Sequence, residues 1–114
     1  MDGNLLTDAS WHSVCKLEQI LPNTGVAARL NGAQIALFRL ADDRVFAISN
    51  YDPNSAAAVL SRGIIGSIGE RIVVASPIYK QHFDLATGEC LEAPECSIPA
   101  YPVRVQDGHV EVAG

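Results

Sequence analysis

Along most of the chain, apolar and polar residues alternate in short runs broken by Gly, Pro, Asn and Asp, the signature of brief β-strands joined by turns. The first run covers residues 11–15. Residues 16–22 read as a turn or a single helical turn, with Leu17, Ile20 and Leu21 directed inward. A run over 26–30 precedes Asn31-Gly32, a dipeptide suited to a tight hairpin because both residues tolerate positive φ, and the chain returns over 33–40. A polar turn at 41–44 leads to Val45–Ser49, where Val45, Ala47 and Ser49 share one face and Phe46 and Ile48 the other. Arg71–Ala75 is a β-branched strand, and 82–85 is another, closed by Thr87-Gly88. The last hairpin runs over 101–105, turns at Asp107-Gly108 and returns over 109–112. Tyr101, Val103 and Val105 share a face, and Val110 and Val112 point inward. Pro99 and Pro102 limit its first strand to an edge or a bulge, since proline brings no N–H to a ladder.

Segment 50–69 breaks this rhythm with Pro53, Gly63, Gly66, Gly69 and the small residues 55–58. It reads as a long irregular connection with a helical turn at 56–61, and connections of this length are usually functional or disordered. Residues 1–10 are polar and aperiodic, a flexible N-terminal tail, which leaves 11–114 as one domain. Strand following strand with frequent turns predicts an all-β fold, a small β-sandwich or barrel of short antiparallel strands.

Composition narrows the function classes. A chain of 114 residues buries enough surface for a core without disulfide or metal staples. Apolar residues at 48% against 18% charged exclude a disordered chain. A net charge of −5 speaks against nucleic acid or an acidic membrane surface as partner. No apolar run approaches the roughly 20 residues that span a bilayer, and the first ten lack the features of a secretory signal. Cys15, Cys90 and Cys96 are too few and scattered for a disulfide framework and fit reduced thiols in a cytoplasm. The Cys90/Cys96 spacing matches no common metal motif, and small buried side chains are the simpler reading. His12 and His109 have no visible partner. Ser76, His82 and Asp84 could be arranged as a hydrolase triad, but no Gly-x-Ser-x-Gly elbow is present. Gly63, Gly66 and Gly69 match neither phosphate-binding nor dinucleotide-binding spacing.

Two segments carry more specific information. Asn50-Tyr51-Asp52-Pro53 closes a strand, and Ser76-Pro77-Ile78-Tyr79-Lys80-Gln81-His82-Phe83-Asp84-Leu85-Ala86-Thr87-Gly88 follows Arg71–Ala75. Together with Ile98-Pro99-Ala100-Tyr101-Pro102-Val103-Arg104-Val105, Asp107-Gly108 and Val110, the arrangement resembles the Rieske [2Fe–2S] domain over roughly 11–113. In that family the first loop carries Cys-x-His, and the second carries Cys-Pro-x-His before a Phe-Asp-Leu-x-Thr-Gly strand and turn. The positions matching the four cluster ligands hold Asn50, Asp52, Ser76 and Tyr79. A Rieske centre needs two Cys and two His, and neither an amide nor a neutral hydroxyl replaces a thiolate. The gap over 53–75 is also longer than in ordinary Rieske domains. With residues 59–66 added, the pattern looks like the small subunit of assimilatory NAD(P)H-dependent nitrite reductase, a cluster-free Rieske-like family.

That resemblance implies a non-catalytic subunit, with no cofactor of its own, that assembles with or regulates a large subunit. The large subunit would carry FAD, siroheme and a [4Fe–4S] cluster and reduce nitrite to ammonium in cytoplasmic nitrate assimilation. Asp52 is expected to bridge the two loops, by a hydrogen bond to Tyr79 or by pairing with Lys80 or Arg62. Arg62, Tyr79, Lys80 and Gln81 are expected to face the partner, since Tyr and Arg are favoured at interface hot spots. A Rieske-type ferredoxin or other electron-transfer component remains an alternative, as does a cluster-free adaptor of another oxidoreductase.

Overall fold

Asn31 and Gly32 take φ values of 52° and 85°, and Asp107 and Gly108 take 54° and 78°. Positive φ at both central residues gives a turn whose twist suits antiparallel strands, so both expected hairpins form. A computed structural model describes residues 11–114, and the tail expected over 1–10 lies outside the described residues. The strands are β1 (Trp11–Lys16), β2 (Thr24–Leu30), β3 (Ala33–Arg39), β4 (Val45–Ser49), β5 (Tyr51–Asp52), β6 (Ala57–Ala58), β7 (Ile64–Ile68), β8 (Arg71–Ala75), β9 (His82–Asp84), β10 (Ala100–Tyr101), β11 (Val103–Gln106) and β12 (His109–Ala113). Short 3-10 turns cover Leu17–Gln19, Leu60–Arg62 and Pro94–Cys96.

The all-β expectation holds, with three stacked antiparallel sheets. A central sheet of order β10-β4-β3-β2 lies between β1-β12-β11 on one side and β7-β8-β9 on the other, while β5 and β6 form a small separate hairpin. β3 shows why the centre is buried on both faces. Ile35 and Leu37 pack with Ile20, Val110 and Val112, whereas Ala36 and Phe38 pack with Val74, Phe83 and Leu85. β4 divides in the same way, Val45 and Ala47 against Phe46 and Ile48. A strand covered on both sides reads as a continuous apolar run instead of an alternating one. Burying each large apolar side chain contributes roughly 1.5–3 kcal/mol.

Three expectations are corrected. Residues 50–69 do not form one irregular connection: they contain the β5–β6 hairpin, a 3-10 turn over Leu60–Arg62 in place of a turn over 56–61, and strand β7. Gly69, at φ 62°, opens a two-residue turn with Glu70 that folds Ile64–Ile68 onto β8. Leu21 is 69% exposed, although Ile20 is fully buried. The backbone N–H and hydroxyl of Thr24 both donate to the Leu21 carbonyl, so the chain reverses with Leu21 on the outside of the bend. The strand expected over 101–105 splits at Pro102, which has no N–H. Its first part, β10, pairs with β4, and its second, β11, pairs with β12. Both are edge strands, as the prolines implied, but Val105 is exposed and does not share a buried face with Tyr101 and Val103.

Gly88 joins the outer sheet to the segment before β10. At φ 81° its backbone passes so close to Ile98 that a Cβ would run into the Ile98 carbonyl, and the Ile98 N–H donates to the Gly88 carbonyl at 2.9 Å.

Candidate functional site at the paired loop tips

The chain leaves the central sheet after β4 and the outer sheet after β8, and the two departing loops meet. Ser76 Oγ donates to Asp52 Oδ2 at 2.5 Å, and the Asn54 N–H donates to Asp52 Oδ1 at 2.9 Å. Asn50, Asp52 and Ser76 are 1%, 0% and 0% exposed. Asn50 is committed on every side: its Nδ2 donates to Gln34 Oε1 and the Ala58 carbonyl, and its Oδ1 accepts the Ser61 N–H at 2.7 Å. The first loop is thereby closed onto the Leu60–Arg62 turn, and the second is held to the first by a bond to an acidic side chain, a class stronger than neutral pairs.

The cross-loop bond from Asp52 thus exists with a different partner from those expected. The Lys80 N–H donates to the Ser76 carbonyl and the Ser76 N–H to the Gln81 carbonyl, which closes residues 76–81 into a tight turn. That turn points Ser76 inward and leaves Ile78 and Tyr79 exposed at 47% and 61%. Three of the four ligand-matching positions therefore come together in the interior, and Tyr79 stands apart from them. Arg62 and Lys80 are exposed and form no ion pair among the described residues. Gln81 is half-buried, its Oε1 enclosed and without a hydrogen-bond partner among the described residues. Both tips contain a non-glycine residue at positive φ, Ala56 at 55° and Lys80 at 62°, a conformation that costs free energy and is concentrated at functional sites.

These side chains do not fit a Rieske cluster. Two Cys and two His would be required. Here there are a saturated amide, a carboxylate bonded to a hydroxyl, and an exposed phenol. Cys15, Cys90 and Cys96 are free, with Cys90 inside the core beneath the outer sheet, and burial pushes the Cys15 and Cys90 thiols up. Among the described residues no three His, Cys, Asp or Glu side chains gather as a metal site. Nor do Ser76, His82 and Asp84 form a relay. Ser76 bonds Asp52, His82 Nδ1 lies 2.6 Å from Glu92 Oε2, and Asp84 accepts from Arg71 Nε at 2.7 Å. Asp84 also accepts the N–H groups of Ala86 and Thr87. Burial pushes its carboxyl up, but Arg71 and these two N–H groups outweigh it and hold the acid below the usual carboxylate range. Arg71 reaches on to Glu89, bracing the turn after β9.

Tyr51 (49% exposed), Ile78 and Tyr79 supply apolar area beside the basic Arg62 and Lys80. Sequence reasoning missed Tyr51 and Ile78, and also Gln34 and Ser61, which hold Asn50. Tyr51 could have been found by alternation, because a residue next to an inward Asp52 faces outward. Gln34 and Ser61 carry no such signal.

The chain matches the Rieske-like [2Fe–2S] domain family over residues 10–113. It is 47% identical to the nitrite reductase (NADH) small subunit of Salmonella typhimurium over 93% of this chain and 99% of that protein. It is 42% identical to part of the nitrite reductase NAD(P)H large subunit of Klebsiella oxytoca, a match covering 94% of this chain but 11% of that longer one. Among solved structures, the nitrite reductase NAD(P)H small subunit of Erwinia carotovora superposes with a TM-score of 0.81 at 48% identity, covering 93% and 82% of the two chains. The ferredoxin of carbazole 1,9a-dioxygenase from Nocardioides aromaticivorans superposes at 0.73 with 28% identity, covering 91% and 97%. With this likeness along nearly its whole length, the chain belongs to the Rieske-like domain family and, within it, to the small subunits of NADH-dependent nitrite reductase.

Proposed function

We propose that this chain is a cluster-free, non-catalytic subunit that assembles in the cytoplasm with a nitrite reductase large subunit, the chain that carries FAD, siroheme and a [4Fe–4S] cluster and reduces nitrite to ammonium. The observation that carries the reading is the Asp52–Ser76 bond beside a saturated Asn50. It ties the loops with hydrogen bonds where an electron-transfer domain would use a metal centre, so the tips keep their geometry and lose the redox chemistry. Docking is the role left to them, with Arg62, Tyr79, Lys80 and Gln81 as the contact residues. The Klebsiella relative supports association, because there a matching domain is covalently part of a longer nitrite reductase chain. No helix among the described residues is long and apolar enough to cross a membrane.

The test is sedimentation of this protein mixed with purified large subunit. A stable complex is expected, weakened about tenfold or more when Arg62, Tyr79, Lys80 and Gln81 are all replaced by Ala, the loss expected of interface hot spots. No complex at any concentration would sink the reading. The ferredoxin likeness keeps electron transfer as the second reading. Visible absorption of anaerobically purified protein decides it: a colourless sample is expected, and a red-brown one with about two irons per chain, as in a Rieske centre, would make this chain an electron carrier.

A further inference from the structure

Strand β7 is an edge without protection. In the sheet of order β7-β8-β9 it pairs only with β8, and outside that pairing its backbone makes no hydrogen bond among the described residues. Alternate residues of an antiparallel strand turn their N–H and C=O away from the partner, so the outer side of β7 offers a row of donors and acceptors. Soluble proteins blunt such edges with charge, proline, bulges or a covering element. The edges of the other two large sheets follow that rule. β1 carries Lys16 and a register shift between Ser13 and Cys15, and β11 carries Arg104 and follows directly on Pro102. β10 is flanked by Pro99 and Pro102, and β2 carries Arg29 and is covered near Gly25 by the Ser61 carbonyl. Residues 63–69, Gly-Ile-Ile-Gly-Ser-Ile-Gly, contain no charge and no proline, and their pairing with β8 runs without a bulge.

The face beside this edge is apolar. Ile64 and Ile68, 72% and 41% exposed, stand over a shallow groove with Val73, Ala75 and His82. Gly66 lies between the two isoleucines, and a Cβ there would meet nothing, which leaves room for an incoming side chain. The strip continues to the loop tips: Ile64 lies opposite Ala75, and Ser76 then opens the turn bearing Ile78 and Tyr79. Arg62 and Lys80 make this end basic in a chain whose net charge is −5.

We propose that β7 is a strand-addition site for an extended apolar segment of the nitrite reductase large subunit, acidic at the end beside Arg62 and Lys80, which hydrogen-bonds along the free edge and seats one side chain between Ile64 and Ile68. The inference rests on the association read under Proposed function and names its surface. The large chain is the occupant, in preference to a second copy, because in the Klebsiella relative a matching domain is 11% of a single longer polypeptide and is thereby tethered to the rest of that chain. Main-chain pairing supplies affinity in this mode, and the pocket between alternate side chains supplies specificity.

The experiment pairs two measurements on the full chain with purified large subunit. Amide exchange across residues 64–68 should slow on complex formation, and Ile64→Lys with Ile68→Lys should weaken binding about tenfold or more while leaving the melting temperature unchanged, lysine being the edge-blocking residue. If wild-type protein binds but exchange over 64–68 is unaltered and the double variant binds as tightly, the strand-addition site is wrong and the association stands. If wild-type protein does not bind at all, both fall. A wild-type homodimer abolished by the double variant, with large-subunit binding untouched, would assign the edge to a second copy and overturn the proposal. The exchange measurement on wild-type protein decides the matter even if the double variant misfolds.

Discussion

Asp52 and Ser76 were matched to cluster-ligand positions by sequence, and in the structure they bond to each other. Ser76→Ala leaves Asp52 buried with one donor removed, so urea unfolding should show a loss of about 1–3 kcal/mol, the usual cost of an unsatisfied buried group. Tyr79→Phe should leave the unfolding midpoint unchanged, because the exposed phenol has no hydrogen bond among the described residues. Asp84 sets a pH dependence. Its folded carboxyl is held below the ordinary value of about 3.9, despite burial, by Arg71 and the Ala86 and Thr87 N–H groups. A depressed acid contributes stability that is fully present above the unfolded value and lost as pH falls through the folded one. Urea midpoints followed from neutral pH into the acid range should fall more steeply for wild type than for Asp84→Asn.

Among the elements, turns were easier to read than their surroundings. Asn31-Gly32 and Asp107-Gly108 need nothing beyond their own backbone freedom. β7 was concealed because Gly63, Gly66 and Gly69 look like breakers, when Gly69 in fact supplies the hairpin turn that makes the strand. Gly88 is constrained by both its dihedral and its neighbour. Gly88→Ala would place a methyl against the Ile98 carbonyl at a φ that L-residues avoid. It should cost about 1–3 kcal/mol or more, the range for overpacking, measured as a lower thermal midpoint.

At the scale of the molecule, the central sheet makes one cooperative unit of two cores. Leu37 and Phe38 are neighbours on β3 and belong to opposite cores. Leu37→Ala and Phe38→Ala should each cost about 2–5 kcal/mol, as buried large-to-small changes do. Trp11 fluorescence reports β1 in one outer sheet, and far-UV circular dichroism reports all strands. The two transitions should coincide in both variants, as a two-state domain requires. Separate transitions would mean that the layers unfold independently.

Legible from the residues alone were the strands with strong alternation, the Asn31-Gly32 and Asp107-Gly108 hairpins, the inward Val110 and Val112, the edge character imposed by Pro99 and Pro102, and the motif around residues 76–88 that pointed to the family. Each of these rests on a preference local to a few residues, or on a motif read as a unit. The sequence also pointed to three-layer burial through the run Ile35 to Phe38, a signal that the expectation of a sandwich or barrel left unused. It took the packed fold to bring Asp52 to Ser76, to set Gln34 and Ser61 against Asn50, to turn Leu21 outward, and to divide the strand expected over 101–105 between two sheets. Those outcomes depend on which distant groups arrive within hydrogen-bonding reach once the sheets stack, and a polar side chain carries no mark of which distant partner that will be.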